Sequence, residues 1–160
     1  MLKVTVIHVG NLKESYYKEA VDEYAKRLSA YCKFSSVEIK ESPLSENPSQ
    51  GEITKALEKE AEAILASVPK KALVVALCVE GKEIPSEELA KVIERVPEDG
   101  CDSLIFIIGS SYGLSPRVKA AANMRLSFSK MTFPHRLMRV MLAEQVYRAF
   151  TICEGKQYHK

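Results

Sequence analysis

Chemistry in this chain concentrates in Leu126-Ser127-Phe128-Ser129-Lys130-Met131-Thr132-Phe133-Pro134-His135, which runs straight into an apolar helix from Arg136 to Phe150. The pattern is that of a short strand, a polar loop and a helix opened by Pro134, whose missing N–H costs nothing at a first helical position. Ligands of open α/β sheets bind beyond the carboxyl ends of the strands, where backbone N–H groups and helix N-termini are free. A second such turn, Gly109-Ser110-Ser111-Tyr112-Gly113-Leu114-Ser115-Pro116, follows the apolar run Ser103 to Ile108 and precedes a helix with Ser115 as N-cap. It is neither a G-x-G-x-x-G fingerprint nor a Walker loop. Glycine at 109 lets the backbone approach a flat ligand such as a nucleoside. On spacing alone, both stretches also suit plain connections.

The elements that position these turns follow from periodicity. Met1 to Gly10 reads as a strand, and Tyr17, Ala20, Val21, Tyr24 and Leu28 mark an amphipathic helix over about Ser15 to Ala30. A short strand is expected around Phe34 to Lys40, then a Pro- and Ser-rich loop from Glu41 to Gly51. Ile53, Ala56, Leu57, Ala61, Ile64 and Leu65 form the stripe of a second helix. Ala72 to Val79 is a continuous apolar run, as in a strand covered on both faces, and ends in Glu80-Gly81-Lys82. A third helix begins near Ser86, read as its N-cap. Strands alternating with helices predict an α/β fold with a largely parallel sheet, and 160 residues suit one domain.

The net charge of +2 conceals an asymmetry: Gly109 to Lys160 carries nine Lys/Arg against two acids, while the first 108 residues are net acidic. Basic charge beside the candidate site points to a polyanionic partner. The first residues are too short an apolar run for a membrane span and lack a small-residue cleavage site, so a cytoplasmic protein with no membrane association is expected. Cys32, Cys78, Cys101 and Cys153 lie far apart, as reduced packing thiols do. His8, His135 and His159 lack ligand spacing, so no metal site is expected. The closing helix is apolar nearly all round, which suggests burial partly against a second copy, a homodimer.

Taken together, Gly109 to Pro116, Leu126 to His135 with its helix, Glu144-Gln145-Val146-Tyr147-Arg148-Ala149-Phe150 and the closing Tyr158-His159-Lys160 resemble the SPOUT class of methyltransferases. The closer likeness is to the small bacterial family that methylates the ring nitrogen N(3) of a pseudouridine in large-subunit (23S) ribosomal RNA. Val9-Gly10, Leu77 and Gly81-Lys82 extend the likeness along the whole chain, while Ser110 stands where such loops commonly carry a second glycine. The resemblance implies an α/β sheet with helices on both faces and a C-terminal trefoil knot, an exception to the rule against knotted chains. It further implies S-adenosylmethionine as cofactor, contacting Leu77, Gly109, Phe128, Ser129, Lys130, Met131, Thr132 and Phe133. The partners implied are the ribosome and its large-subunit RNA, not DNA.

The sulfonium of that cofactor already activates the methyl group, so proton removal from an imide N–H is what asks for side chains. His135 beside the loop, and Tyr158 and His159 in a tail that the family folds over its site, are the candidates. Arg139, one helical turn after His135, suits a phosphate or the uracil-like oxygens. Two other readings remain at this stage: an α/β module that binds ribosomal RNA without catalysis, and a flavodoxin-like nucleotide-binding enzyme, disfavoured by the missing phosphate motifs.

Overall fold

The computed structural model describes all residues from Met1 to Lys160. Five strands and five helices alternate along the chain: β1 Lys3–Val9, α1 Ser15–Leu28, β2 Lys33–Ile39, α2 Gln50–Ala66, β3 Ala72–Glu83, α3 Ser86–Glu98, β4 Ser103–Ile108, α4 Pro116–Ala121, β5 Met124–Ser127 and α5 His135–Cys153. The strands form one sheet in the order β2-β1-β4-β3-β5, with every pairing parallel. Each strand therefore ends at the same edge, where Gly10, Gly109 and the loop after Ser127 lie side by side.

Alternation along the central strands builds two cores. Val4, Val6, Leu104, Phe106 and Ile108 face α1, α3 and α5, together with Leu142, Val146 and Ala149 of the last helix. Ile7, Val9, Ile105 and Ile107 face the other layer, with Ala61 and Ile64 of α2 and Val118 of α4. A period of two in the strand thus feeds both layers at once, which is why β4 is buried at all six positions.

Three local features depart from the sequence expectation. Strand β3 runs on past Val79 to Glu83, but with a jog: Leu77 and Lys82 both sit opposite Leu126, so Cys78 to Gly81 leave the ladder and return. Gly81 permits the return, because a Cβ there would lie 2.8 Å from the backbone carbons of Arg125 and Leu126. Ser86 is the first residue of α3 rather than its cap, which falls on Pro85; its hydroxyl donates instead to Gln145 Oε1 at 2.8 Å and ties α3 to α5. Pro134 sits at the cap of α5, its carbonyl accepting from the Met138 N–H, so the helix begins at His135 and runs on to Cys153.

The Glu41 to Gly51 loop is held at both ends. Ser42 N–H donates to Glu60 Oε2 at 2.9 Å, and Ser49 makes a reciprocal capping box with Glu52 at the start of α2.

Candidate active site

The jog within β3 and the loops after β4 and β5 enclose a cleft of about 600 Å³ at the carboxyl edge of the sheet. That size falls within the roughly 300–1,000 Å³ usual for a small-molecule site. Leu77 to Glu80 form one wall, Gly109 to Leu114 the second, and Phe128, Ser129 and Met131 to His135 the third, with Met138 behind; Lys130, on the same loop, is exposed and outside the lining.

The glycine turn is rigid for a reason that spacing could not show. A Cβ at Gly109 would fall 2.3 Å from the Gly113 carbonyl oxygen, so the glycine serves the close approach of the chain to itself. Gly113 takes φ +84° and its N–H donates to the Ser110 carbonyl at 2.9 Å. Ser110 fits without a positive φ; it is buried, and its hydroxyl accepts from the Tyr112 N–H at 3.3 Å. Past the turn, Ser115 caps α4 as expected, accepting from Arg117 N–H at 3.0 Å while donating to Glu58 Oε1 at 2.7 Å.

In the third wall, Ser127 and Ser129 hydroxyls satisfy the loop's own backbone, at the Ser129 carbonyl and the Met131 N–H. The N–H groups of Phe128, Ser129, Lys130, Thr132 and Phe133 make no hydrogen bond within the chain. A cleft edged by free backbone donors and walled by Leu77, Leu126 and Phe133 has the polar rim and apolar interior that a nucleoside-bearing cofactor requires.

His135 lines this cleft, and neither of its ring nitrogens is hydrogen-bonded within the chain. Burial, and then the nearby guanidiniums of Arg136 and Arg139, push its pKa below the ordinary imidazole value, leaving a neutral ring with a free acceptor at neutral pH. Arg139 stands one turn along the same face, half-buried with Glu38 as its nearest opposing charge. Beneath it His8, buried in β1, donates from Nδ1 to the Gly10 carbonyl if that nitrogen carries the proton, at 2.8 Å. Burial and Arg139 keep His8 neutral too.

Tyr158 and His159 lie elsewhere in the chain, against the far half of α5. The Tyr158 hydroxyl donates to Glu144 Oε1 at 3.1 Å, and its ring packs edge-on against Tyr147. Glu144 also holds Arg148 at 2.5 Å. His159 bridges Arg148, 3.1 Å from Nδ1, and Glu87, 2.7 Å from Nε2. Because arginine can only donate, Nδ1 accepts and Nε2–H donates to Glu87, which leaves no free acceptor on that ring. Burial and Glu144 push the Tyr158 phenol up to about 12, so it is a donor at neutral pH. Within one chain, then, the structure brings His135 and the three loops together, places Arg139 beside them, and docks the tail about nine helical residues away, roughly 13 Å along the helix axis.

Residues that sequence reasoning did not single out also line the cleft: Cys78, Val79, Glu80, Tyr112, Lys119 and Met138. Met138 was readable, lying three positions after His135 on one helix face. The Cys78 to Glu80 wall was not, since it depends on the jog in β3.

This arrangement, a parallel sheet with three loops converging on a cleft before the last helix, is the fold of SPOUT-class methyltransferases. In solved structures it is matched by a probable rRNA-methyltransferase from Porphyromonas gingivalis, at TM-score 0.54 and 15% identity over 94% of this chain and 69% of that one. A probable methylase family protein from Haemophilus influenzae Rd KW20 gives TM-score 0.52 and 14% identity over 99% of this chain and 70% of that one. The sequence identifies the family itself: residues 2–159 match the model described as a predicted SPOUT methyltransferase, and the chain belongs to that family. It is therefore a methyltransferase, with S-adenosylmethionine as methyl donor. It is 48% identical over 159 residues to the ribosomal RNA large subunit methyltransferase H of Streptococcus thermophilus, covering 99% of this chain and 100% of that protein. It is 49% identical, with the same coverage, to a putative ribosomal RNA large subunit methyltransferase H from Methanococcus vannielii. No helix is long and apolar enough to cross a membrane.

Proposed function

We propose that this protein, as one methyltransferase domain spanning residues 1 to 160, methylates N(3) of a pseudouridine in large-subunit (23S) ribosomal RNA on the assembled ribosome. The observation that carries the reading is a neutral, unpartnered His135 at a cleft edged by free backbone donors. The names of the two relatives support the substrate class. Bound S-adenosylmethionine supplies an electrophilic methyl group. Leu77, Gly109, Phe128, Ser129, Met131, Thr132 and Phe133 line the cleft and would hold it through backbone groups and apolar walls, with Lys130 on the same loop. His135 takes the imide proton at N(3), and Arg139 stabilises the negative charge left on the ring oxygens.

The same reading has the C-terminal part of the chain threaded through a loop as a trefoil knot. It also has the protein act as a homodimer in the cytoplasm. The charges Arg136 and Arg148 find partners within the chain, at Glu14 and Glu144, so the dimer argument rests on the apolar residues. Leu137, Met138, Val140 and Met141 are all half-exposed, and Val140 and Met141 line a second cleft of about 500 Å³ with Tyr24 and Phe128. Met141→Glu is expected to give monomers in sedimentation velocity; an unchanged mass counts against this surface.

Removing Tyr158 to Lys160, the tail read as serving catalysis or RNA docking, is expected to abolish methyl transfer. Cofactor affinity by calorimetry should hardly move, since the tail does not reach the cleft; parallel loss of both would make the tail purely structural.

The deciding experiment is transfer of a labelled methyl group from S-adenosylmethionine to ribosomes from a strain lacking this protein, with the product nucleoside identified by mass spectrometry. Label on a pseudouridine ring of large-subunit RNA supports the proposal. Label on any other nucleoside, or no transfer to these ribosomes by protein that binds the cofactor, would overturn the pseudouridine substrate.

A further inference from the structure

Five large apolar side chains are strongly exposed in this protein, and three of them, Val79 in the jog of β3 and Tyr112 and Met131 on the loops after β4 and β5, stand on the three separate segments that ring the cofactor cleft. Exposed apolar side chains scattered singly need no explanation, but three converging on one mouth do. Tyr112 differs from the other two in how firmly it is held. The residue is 45% exposed, yet its backbone sits at the third position of a tight turn closed by the Gly113 N–H to Ser110 carbonyl bond. The Ser110 hydroxyl takes the Tyr112 N–H, and Gly109 packs directly beneath the Gly113 carbonyl. The turn thus presents an aromatic face to solvent on a base with little freedom to move.

Charge around the mouth favours a polyanion. Lys119 lines the same cleft in an ion pair with Glu80, and Arg125 lies close enough to act electrostatically on the Cys78 thiol beside it. Lys130, next to Met131, is exposed and has no ion-pair partner. An aromatic platform flanked by cations is what an unstacked base and its phosphates recognise, because every base offers a π-face and sequence need not be read.

We propose that Tyr112 is a stacking platform for an unpaired RNA base adjoining the nucleotide to be methylated, with Lys130 and Arg125 placed to meet the flanking phosphates. This rests on the ribosomal RNA reading above and adds the residue that grips the substrate. Tyr112 touches substrate but takes no part in proton or methyl transfer, so its contribution falls on substrate binding.

The test compares Tyr112→Ala and Tyr112→Phe with the unaltered protein in methyl transfer to ribosomes lacking the modification. Tyr112→Ala is expected to raise KM for ribosomes by about tenfold, well beyond any fall in kcat, and Tyr112→Phe, which keeps the ring, to recover most of that loss. Mass by sedimentation should be that of the unaltered protein, and because Tyr112 also lines the cleft, cofactor affinity by calorimetry should fall by no more than a few-fold, well short of the rise in KM. An unchanged KM in Tyr112→Ala overturns the proposal. So does a loss of cofactor affinity as large as the rise in KM, which would make the ring a cofactor contact only, or a fall in mass, which would place it against a second copy. Failure of the unaltered protein to methylate ribosomes would overturn the underlying reading as well, so the two failures are told apart by the first lane of the assay.

Discussion

Gly109→Ala is expected to weaken S-adenosylmethionine binding by roughly a hundredfold, measured by calorimetry, while the protein remains folded by circular dichroism. The added methyl would lie 2.3 Å from the Gly113 oxygen and 2.6 Å from its carbonyl carbon. Both are backbone atoms of a tight turn, so no side chain can swing aside. Overpacking of a well-filled site typically costs about 1–3 kcal/mol, and this contact belongs at the upper end because the turn itself must open. Opening it displaces one wall of the cleft and moves Ser115, the cap of α4, from Glu58. The loss should therefore appear in cofactor affinity first, with the strands on either side of the turn intact. Affinity equal to that of the unaltered protein would show that this wall does not touch the cofactor.

How far the site could be read from residues alone depended on the range over which its determinants act. β4 and the body of β3 were plain, because continuous apolar runs bounded by Gly100 and by Glu80-Gly81 leave few alternatives for a buried strand. The Gly109 turn and the loop into α5 were placed correctly at the carboxyl edge, since both lie directly after such strands. The jog from Cys78 to Gly81 was beyond reach: it exists because Leu77 and Lys82 share Leu126, more than forty residues on, as a neighbour. Ser86 was misread as a cap because its true partner, Gln145, lies on another helix. Likewise Arg136, on an apolar helix, is paired through Nη1 with Glu14 at 3.0 Å across 122 residues of chain. Local chemistry was legible, and pairings between distant elements were not.

The three imidazoles show why position in the fold, more than residue type, selects a base. His8 is buried with Nδ1 facing the Gly10 carbonyl, and His159 has both nitrogens occupied by Arg148 and Glu87. His135 alone combines a place in the cleft with two free nitrogens. Burial leads, and Arg136 and Arg139 add to it against the opposing Glu41 and Glu14, so the ring that lines the cleft is the acceptor form. In the proposed mechanism Arg139 would then have two effects: it would help to keep His135 neutral and would meet the oxygens that gain charge when the proton leaves.

His135→Ala should accordingly lower kcat for methyl transfer by about 10²–10⁴, the usual contribution of a positioned general base, with cofactor affinity within a few-fold of the unaltered protein. His135→Gln, of similar size and still able to hydrogen-bond, should not restore the rate. The pH dependence supplies an independent check. A lowered pKa means that the unaltered protein holds its full rate down past the ordinary imidazole value of 6.5 and loses it only as pH falls through the depressed value. The same sign applies to stability: a histidine that is harder to protonate when folded stabilises the fold above the unfolded pKa, and that stabilisation is lost on acidification. Rate and thermal midpoint would then decline together at low pH, so cofactor affinity must be followed at each pH to keep unfolding apart from protonation of the base. In His135→Ala the acidic limb of the rate profile should disappear while the loss of stability owed to His8 persists. A fall in kcat of less than tenfold, or an acidic limb that survives the substitution, would assign proton removal to a group other than His135.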